Sequence, residues 1–134
     1  MTESAVGIVL ISHSTTLAEG AVEMVSQIAA GARVLPAGGT DDGRLGTSTE
    51  RIAAAIAAAD TGGGVLLIPD MGSSVLSARS VLADLDPRPE GQQIQLVDAP
   101  FIEGAVAAAV AASAGLDLAA VVTAAEEARD VRKF

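Results

Sequence analysis

One histidine, His13, is the chain's single imidazole, and it lies between two serines in Ser12-His13-Ser14. Some sixty residues on stands Asp70, followed by Met71, Gly72, Ser73 and Ser74. A carboxylate that accepts the Nδ1 proton of an imidazole fixes its tautomer and leaves Nε2 as a nucleophile or base. Two chemistries use such a pair. One is hydrolysis, in which Ser12, Ser14, Ser73 or Ser74 would serve as the activated hydroxyl. The other is transient phosphorylation of the ring, with serine hydroxyls and helix-start N–H groups holding the phosphoryl oxygens. No Gly-x-Ser-x-Gly accompanies the serines, which weakens the first. The bland alternative is a loop histidine beside a surface aspartate.

Both residues close a run of apolar sequence. Val6–Ile11 reads as a buried strand, and Val65–Ile68 reads as another. Further strands are expected at Arg33–Ala37 and Gln93–Val97. Helical spacing of apolar residues predicts helices over Leu17–Ala30, from the capping run Thr47–Glu50 through Ala59, and from Ser73 or Ser74 to about Leu85. Two more are expected, Phe101–Ala114 and one capped by Asp117 that runs to about Val131. Strands that alternate with helices predict an open, mainly parallel α/β sheet with helices on both faces; the flavodoxin-like order 2-1-3-4 is expected. No linker or internal repeat divides residues 1–134, so a single domain is expected.

In such a sheet ligands bind beyond the carboxyl ends of the strands. Those ends are followed here by Ser12-His13-Ser14, Gly38-Gly39-Thr40-Asp41-Asp42, Asp70-Met71-Gly72-Ser73-Ser74 and Asp98-Ala99-Pro100 with Glu103-Gly104. Polar and glycine-rich sequence thus collects on one edge. That placement makes His13 the candidate reacting group, with Asp70 within reach as an orienting acid; a loop histidine beside a surface aspartate stays the alternative.

Composition excludes several other roles. A formal charge of −9 and only two aromatic residues argue against nucleic acid and anionic membranes and favour a basic partner. With no cysteine and one histidine, cysteine and multi-histidine metal sites are excluded, and no metal or cofactor is expected. No Gly-x-Gly-x-x-Gly follows the first strand, and no Walker A motif exists; Lys133 is the only lysine. No signal sequence or membrane-length run is read, so a cytoplasmic location is expected. Helix Ala105–Ala114 is apolar nearly all round, which suggests a subunit interface and hence a homodimer.

The segments Ile8–Ser14, Leu17-Ala18-Glu19-Gly20, Gly38–Asp42, Gly46-Thr47-Ser48, Asp70-Met71-Gly72-Ser73 and Ala99–Gly104, in this order, span nearly the whole chain. Together they resemble the phosphotransferase (DhaM) subunits of bacterial dihydroxyacetone kinases, relatives of the mannose-type enzyme IIA domains. The resemblance implies a mannose enzyme IIA-like α/β fold, a homodimer, and phosphorylation of His13 by the phosphocarrier protein HPr. The phosphoryl group would pass to ADP on the DhaL subunit, which works with DhaK on dihydroxyacetone. It implies Asp70 as the orienting acid, and Ser14, Gly38, Gly39, Thr40, Gly72 and Ser73 as site lining. Many family members continue into HPr-like and enzyme I-like domains, so HPr is expected here as a separate partner. The alternatives are a mannose-family enzyme IIA that passes phosphate to an enzyme IIB, and a noncatalytic binding domain of the same fold.

Overall fold

A computed structural model describes residues 5–134. The four strands are β1 (Gly7–Ser12), β2 (Arg33–Gly38), β3 (Val65–Pro69) and β4 (Ile94–Leu96). All pair in parallel, in the order β2-β1-β3-β4. The helices are α1 (Thr15–Ile28), α2 (Thr49–Ala59), α3 (Gly72–Ala83), α4 (Phe101–Ser113) and α5 (Leu118–Glu127), and a 3₁₀ turn over Ala128–Asp130 follows α5. The expected sheet order and element sequence are therefore observed.

The central strands explain the continuous apolar runs. Every residue of β1 is buried, because helices cover both faces of the sheet. Ile8 and Leu10 of β1 and Leu66 and Ile68 of β3 join α1, α4 and α5 in one core. Val9, Ile11, Val65 and Leu67 point the other way and join α2 and α3. The register sets Ile11 opposite Pro69, so β1 and β3 end side by side. The backbone N–H of Asp70 then donates to the Ile11 carbonyl at 2.9 Å.

Boundaries shift where tertiary contacts replace local signals. Helix α1 starts at Thr15 because the Ser14 hydroxyl accepts the Leu17 N–H at 3.1 Å. Helix α3 starts at Gly72 with Met71 as its cap, ahead of the serines expected to cap it. Strand β4 is shorter than expected, although Gln93 and Val97 still exchange hydrogen bonds with Val65 and Leu67.

Helix α4 is covered in part by its own chain. Helix α4 packs against the sheet, α1 and α5, and six of its small residues, Gly104, Ala105, Ala108, Ala109, Ala111 and Ala112, are buried within one chain. Those six positions are covered within the chain, while Val106 and Ala107 are only half-buried and Val110 is exposed. Among the described residues no helix is long and apolar enough to cross a membrane.

Candidate active site

The ends of β1 and β3 and the start of α3 bring His13, Asp70 and Ser73 together. Asp70 is the centre of the arrangement. Its Oδ1 lies 2.9 Å from His13 Nδ1 and accepts the Ser74 hydroxyl at 2.9 Å. Its Oδ2 accepts the Ser12 hydroxyl at 3.0 Å and the His13 backbone N–H at 3.1 Å. Four hydrogen bonds thus converge on one nearly buried carboxylate. Burial by itself would raise the pKa of Asp70. The His13 backbone N–H, the Ser74 hydroxyl, the His13 ring and the Ser12 hydroxyl outweigh it and hold the carboxyl below its ordinary range.

An ionised carboxylate only accepts hydrogen bonds, so the proton between Asp70 and His13 belongs to Nδ1. In the neutral imidazole the lone pair is then on Nε2. The Ser73 hydroxyl, in the first turn of α3, meets Nε2 and donates to it. The ring is about four-fifths buried, and its contact with Ser73 is on the exposed side. The loop beneath is held by Gly46, whose N–H donates to the His13 carbonyl at 2.9 Å.

The remaining expected site residues shape the surroundings. Ser14 caps α1, its hydroxyl accepting the Leu17 N–H. Gly38 permits a close approach: a Cβ there would lie 2.5 Å from the Ser14 carbonyl oxygen and 2.8 Å from Ala18 Cβ. Gly39 has a φ of 74° and donates its N–H to Ser12 at 3.1 Å. Thr40 organises its own loop through Arg44 and Asp42. Gly72 opens α3, and nothing crowds the space above it.

Two contributions were hidden in the sequence. Ser12 and Ser74, both fully buried, are the hydroxyls that fasten Asp70. Their signal is positional: a serine at the last position of β1, and a serine four residues after the aspartate. Ser74 also accepts the Met71 N–H at 3.3 Å, which is why it serves α3 from its third position and does not cap it. Among the described residues every buried side-chain nitrogen or oxygen has a partner, and no cluster of ligand-type side chains could hold a metal ion.

Residues 7–122 match the model of the EIIA-man family, described as the PTS system fructose IIA component. Relatives include the phosphoryl donor subunit DhaM of PEP-dependent dihydroxyacetone kinase 2 from Listeria innocua serovar 6a. It is 39% identical over 106 residues, covering 78% of this chain and 84% of that protein. The corresponding subunit of Escherichia coli strain K12 is 33% identical over 132 residues, covering 96% of this chain but 28% of that protein. Among solved structures, the crystal structure of the unknown-function protein EF1359 is 36% identical with a TM-score of 0.78, covering 92% of this chain and 94% of that one. A sigma-54 interaction domain protein from Enterococcus faecalis shares the fold alone, at 15% identity and a TM-score of 0.69.

Proposed function

The chain belongs to the EIIA-man family of PTS IIA components, and on that footing we propose that it is a phosphohistidine carrier serving a dihydroxyacetone kinase. The observation that carries the proposal is the geometry at His13: Nδ1 is tied to a carboxylate, and Nε2 meets the Ser73 hydroxyl in a solvent-exposed contact. In this reading Nε2 attacks the phosphorus of a phosphohistidine on HPr. The N–P bond to the donor breaks as the Nε2–P bond forms, and the Nδ1 proton stays shared with Asp70. The carboxylate stabilises the positive charge that the ring gains when Nε2 is substituted. The Ser73 hydroxyl turns from Nε2 to a phosphoryl oxygen, and the Gly72 end of α3 contributes backbone N–H groups. In the second step a terminal oxygen of ADP on DhaL attacks the phosphorus, and Nε2 leaves as the neutral ring. DhaL and DhaK then complete the kinase, so the chain is a carrier subunit within it.

Ser14, Gly38, Gly39 and Thr40 belong to this reading as the rim that shapes the site. Residues 1–134 form one carrier domain that acts in the cytoplasm. A homodimer belongs to the same proposal; the groove of about 400 Å³ between α4 and α5, lined by Ile102, Val106, Ala107, Ala124, Ala128 and Val131 among others, supports it.

One observation favours a second reading. Ser73, His13 and Asp70 are linked in the order of a hydrolytic triad. The two readings part at Ser73. A carrier in which Ser73 is changed to alanine still accepts phosphate, whereas a hydrolase loses its nucleophile.

The decisive experiment is a two-step labelling. Incubation with phosphoenolpyruvate, enzyme I and HPr is expected to place an acid-labile, alkali-stable label on the chain. A chase with DhaL–ADP is expected to remove it as ATP. Label that leaves only to an enzyme IIB would make the chain a sugar-system IIA component, and absence of label would end the carrier reading.

A further inference from the structure

The residues just before α2 divide their tasks. The Gly46 N–H donates to the His13 carbonyl at 2.9 Å, and the Ser48 hydroxyl caps α2 by accepting the Arg51 N–H at 3.1 Å. The hydroxyl between them, on Thr47, serves neither purpose. It meets the Ser77 hydroxyl of α3 at 2.5 Å, 30 residues away in the chain. Ser77 lies one turn beyond Ser73 on the same face of α3, and its hydroxyl donates to the Ser73 carbonyl at 3.5 Å. With the Ser77 proton directed there, Thr47 is the donor of the pair. A closed circuit results. It runs from the His13 carbonyl through Gly46 and Thr47 to Ser77, back along one turn of α3 to Ser73, and on to the His13 ring at Nε2.

We propose that Thr47, acting through Ser77, is a positioning residue for phosphoryl transfer, an inference that rests on the carrier reading. It sets the first turn of α3 so that the Ser73 hydroxyl is aimed at Nε2 and at the phosphoryl oxygens that arrive there. Helix α3 needs such a tie. Its buried residues are Ser74, Ala78 and Val81, so its apolar hold on the sheet is small. Ser74 fastens the first turn to Asp70 at 2.9 Å, which is one anchor. The Thr47 hydroxyl supplies a second, from the same loop that holds the His13 carbonyl, so ring and hydroxyl share one frame. The Ser73 side chain is exposed, and among the described residues its hydroxyl bonds only to the ring. Its aim therefore depends on where the helix backbone puts it. A donor that acts on the transferring group loses rate when misplaced, while binding of the phosphate donor is left as it was.

The test is a set of single-turnover charging rates with phospho-HPr. Thr47→Val keeps the shape of the side chain and removes its hydroxyl. It is expected to lower the rate at saturating phospho-HPr about three- to tenfold, the worth of one hydrogen bond, and to leave the half-saturating concentration unchanged. Ser77→Ala is expected to match it, and Thr47→Ser to restore the rate. In Thr47→Val the ¹⁵N signal of Nε2 is expected to shift toward that of a ring nitrogen with no donor. The cross-check uses Ser73→Ala. If Thr47 acts through Ser73, adding Thr47→Val to Ser73→Ala costs nothing further. Unchanged rates in both Thr47→Val and Ser77→Ala overturn the proposal. So does a fall that Thr47→Ser fails to restore, one that persists at full size in the Ser73→Ala background, or one confined to the half-saturating concentration. Failure of the carrier reading looks different, since the unaltered chain would then take no label from phospho-HPr.

Discussion

Strands β1 and β3 end in opposite ways at the two edges of the sheet. At their starts the chain is closed by the absence of side chains. A Cβ on Gly7 would lie 2.2 Å from the Ala59 carbonyl oxygen, and one on Gly64 would lie 2.9 Å from Leu118 Cδ2 and 3.0 Å from the Gln93 carbonyl oxygen. Gly64 also has a φ of 91°, a conformation that side chains rarely adopt. At their ends the same strands are closed by side chains, with Ser12, His13 and Ser74 fastened to Asp70. One edge is steric and contributes only stability. The other is polar, and its hydrogen bonds set a tautomer. The two edges should therefore respond differently to substitution.

His13→Ala breaks the polar edge at its reactive atom and has the largest effect. Phosphoryl labelling is expected to vanish, while the melting temperature moves by no more than a few degrees. The ring lies beyond the end of β1, outside both apolar cores, so its loss opens no internal cavity. Labelling by phospho-HPr and a thermal melt on the same sample check both halves.

Asp70→Asn keeps the shape of the site and is expected to slow charging by about 10²–10⁴-fold. The direction follows from the hydrogen bonds. Oδ2 accepts two donors, the Ser12 hydroxyl and the His13 backbone N–H, so the amide oxygen takes that place. The amide nitrogen then faces His13 Nδ1 and donates to it. The ring proton moves to Nε2, and the nucleophilic lone pair is lost. Single-turnover labelling measures the rate, and ¹⁵N chemical shifts of the ring report the tautomer. An unchanged tautomer with an unchanged rate would remove Asp70 from the mechanism.

Gly7→Ala tests the steric edge. The added methyl group meets a backbone oxygen that cannot rotate away, so β1 and the end of α2 must separate. Overpacking of this kind costs about 1–3 kcal/mol, or about 5–15 °C in melting temperature for a domain of this size. Charging of the folded fraction is expected to be unchanged, because Gly7 lies at the far end of β1 from His13. A loss of charging larger than the loss of folded protein would show that the two edges are coupled.

These contrasts also mark what the sequence made legible. The runs Val6–Ile11 and Val65–Ile68 are readable because central strands bury both faces, leaving no polar residue to interrupt them. The pairing of His13 with Asp70 follows from placing both at neighbouring strand ends, a topological argument that needs no coordinates. The hydroxyls of Ser12 and Ser74 escape that argument. A serine at a helix start signals a cap, and Ser74 spends its hydroxyl on a residue brought close by β3. Helix α4 is legible only in part. Composition shows that it must be covered on most sides, but not that α5 of the same chain does the covering.

The smallest effect belongs to Ser74→Ala, which removes one of the four donors to Asp70 and leaves the ring contact in place. Loss of one hydrogen bond to a nearly buried carboxylate costs about 1–2 kcal/mol. Its clearer mark is in acid. The folded pKa of Asp70 lies below its unfolded value, so its contribution to stability is fully present above the ordinary carboxylate range. That contribution is lost as pH falls through the depressed folded pKa. Without the Ser74 hydroxyl, one cause of the depression is gone, and the folded pKa rises toward the ordinary value. Acid unfolding followed by circular dichroism should then begin at a higher pH than in the unaltered chain. ¹³C shifts of the Asp70 carboxyl should move in the same direction. The steric edge offers no counterpart, so Gly7→Ala should lower stability by the same amount across this pH range. Parallel acid profiles for Ser74→Ala and Gly7→Ala would mean that Ser74 acts through packing rather than through the charge on Asp70.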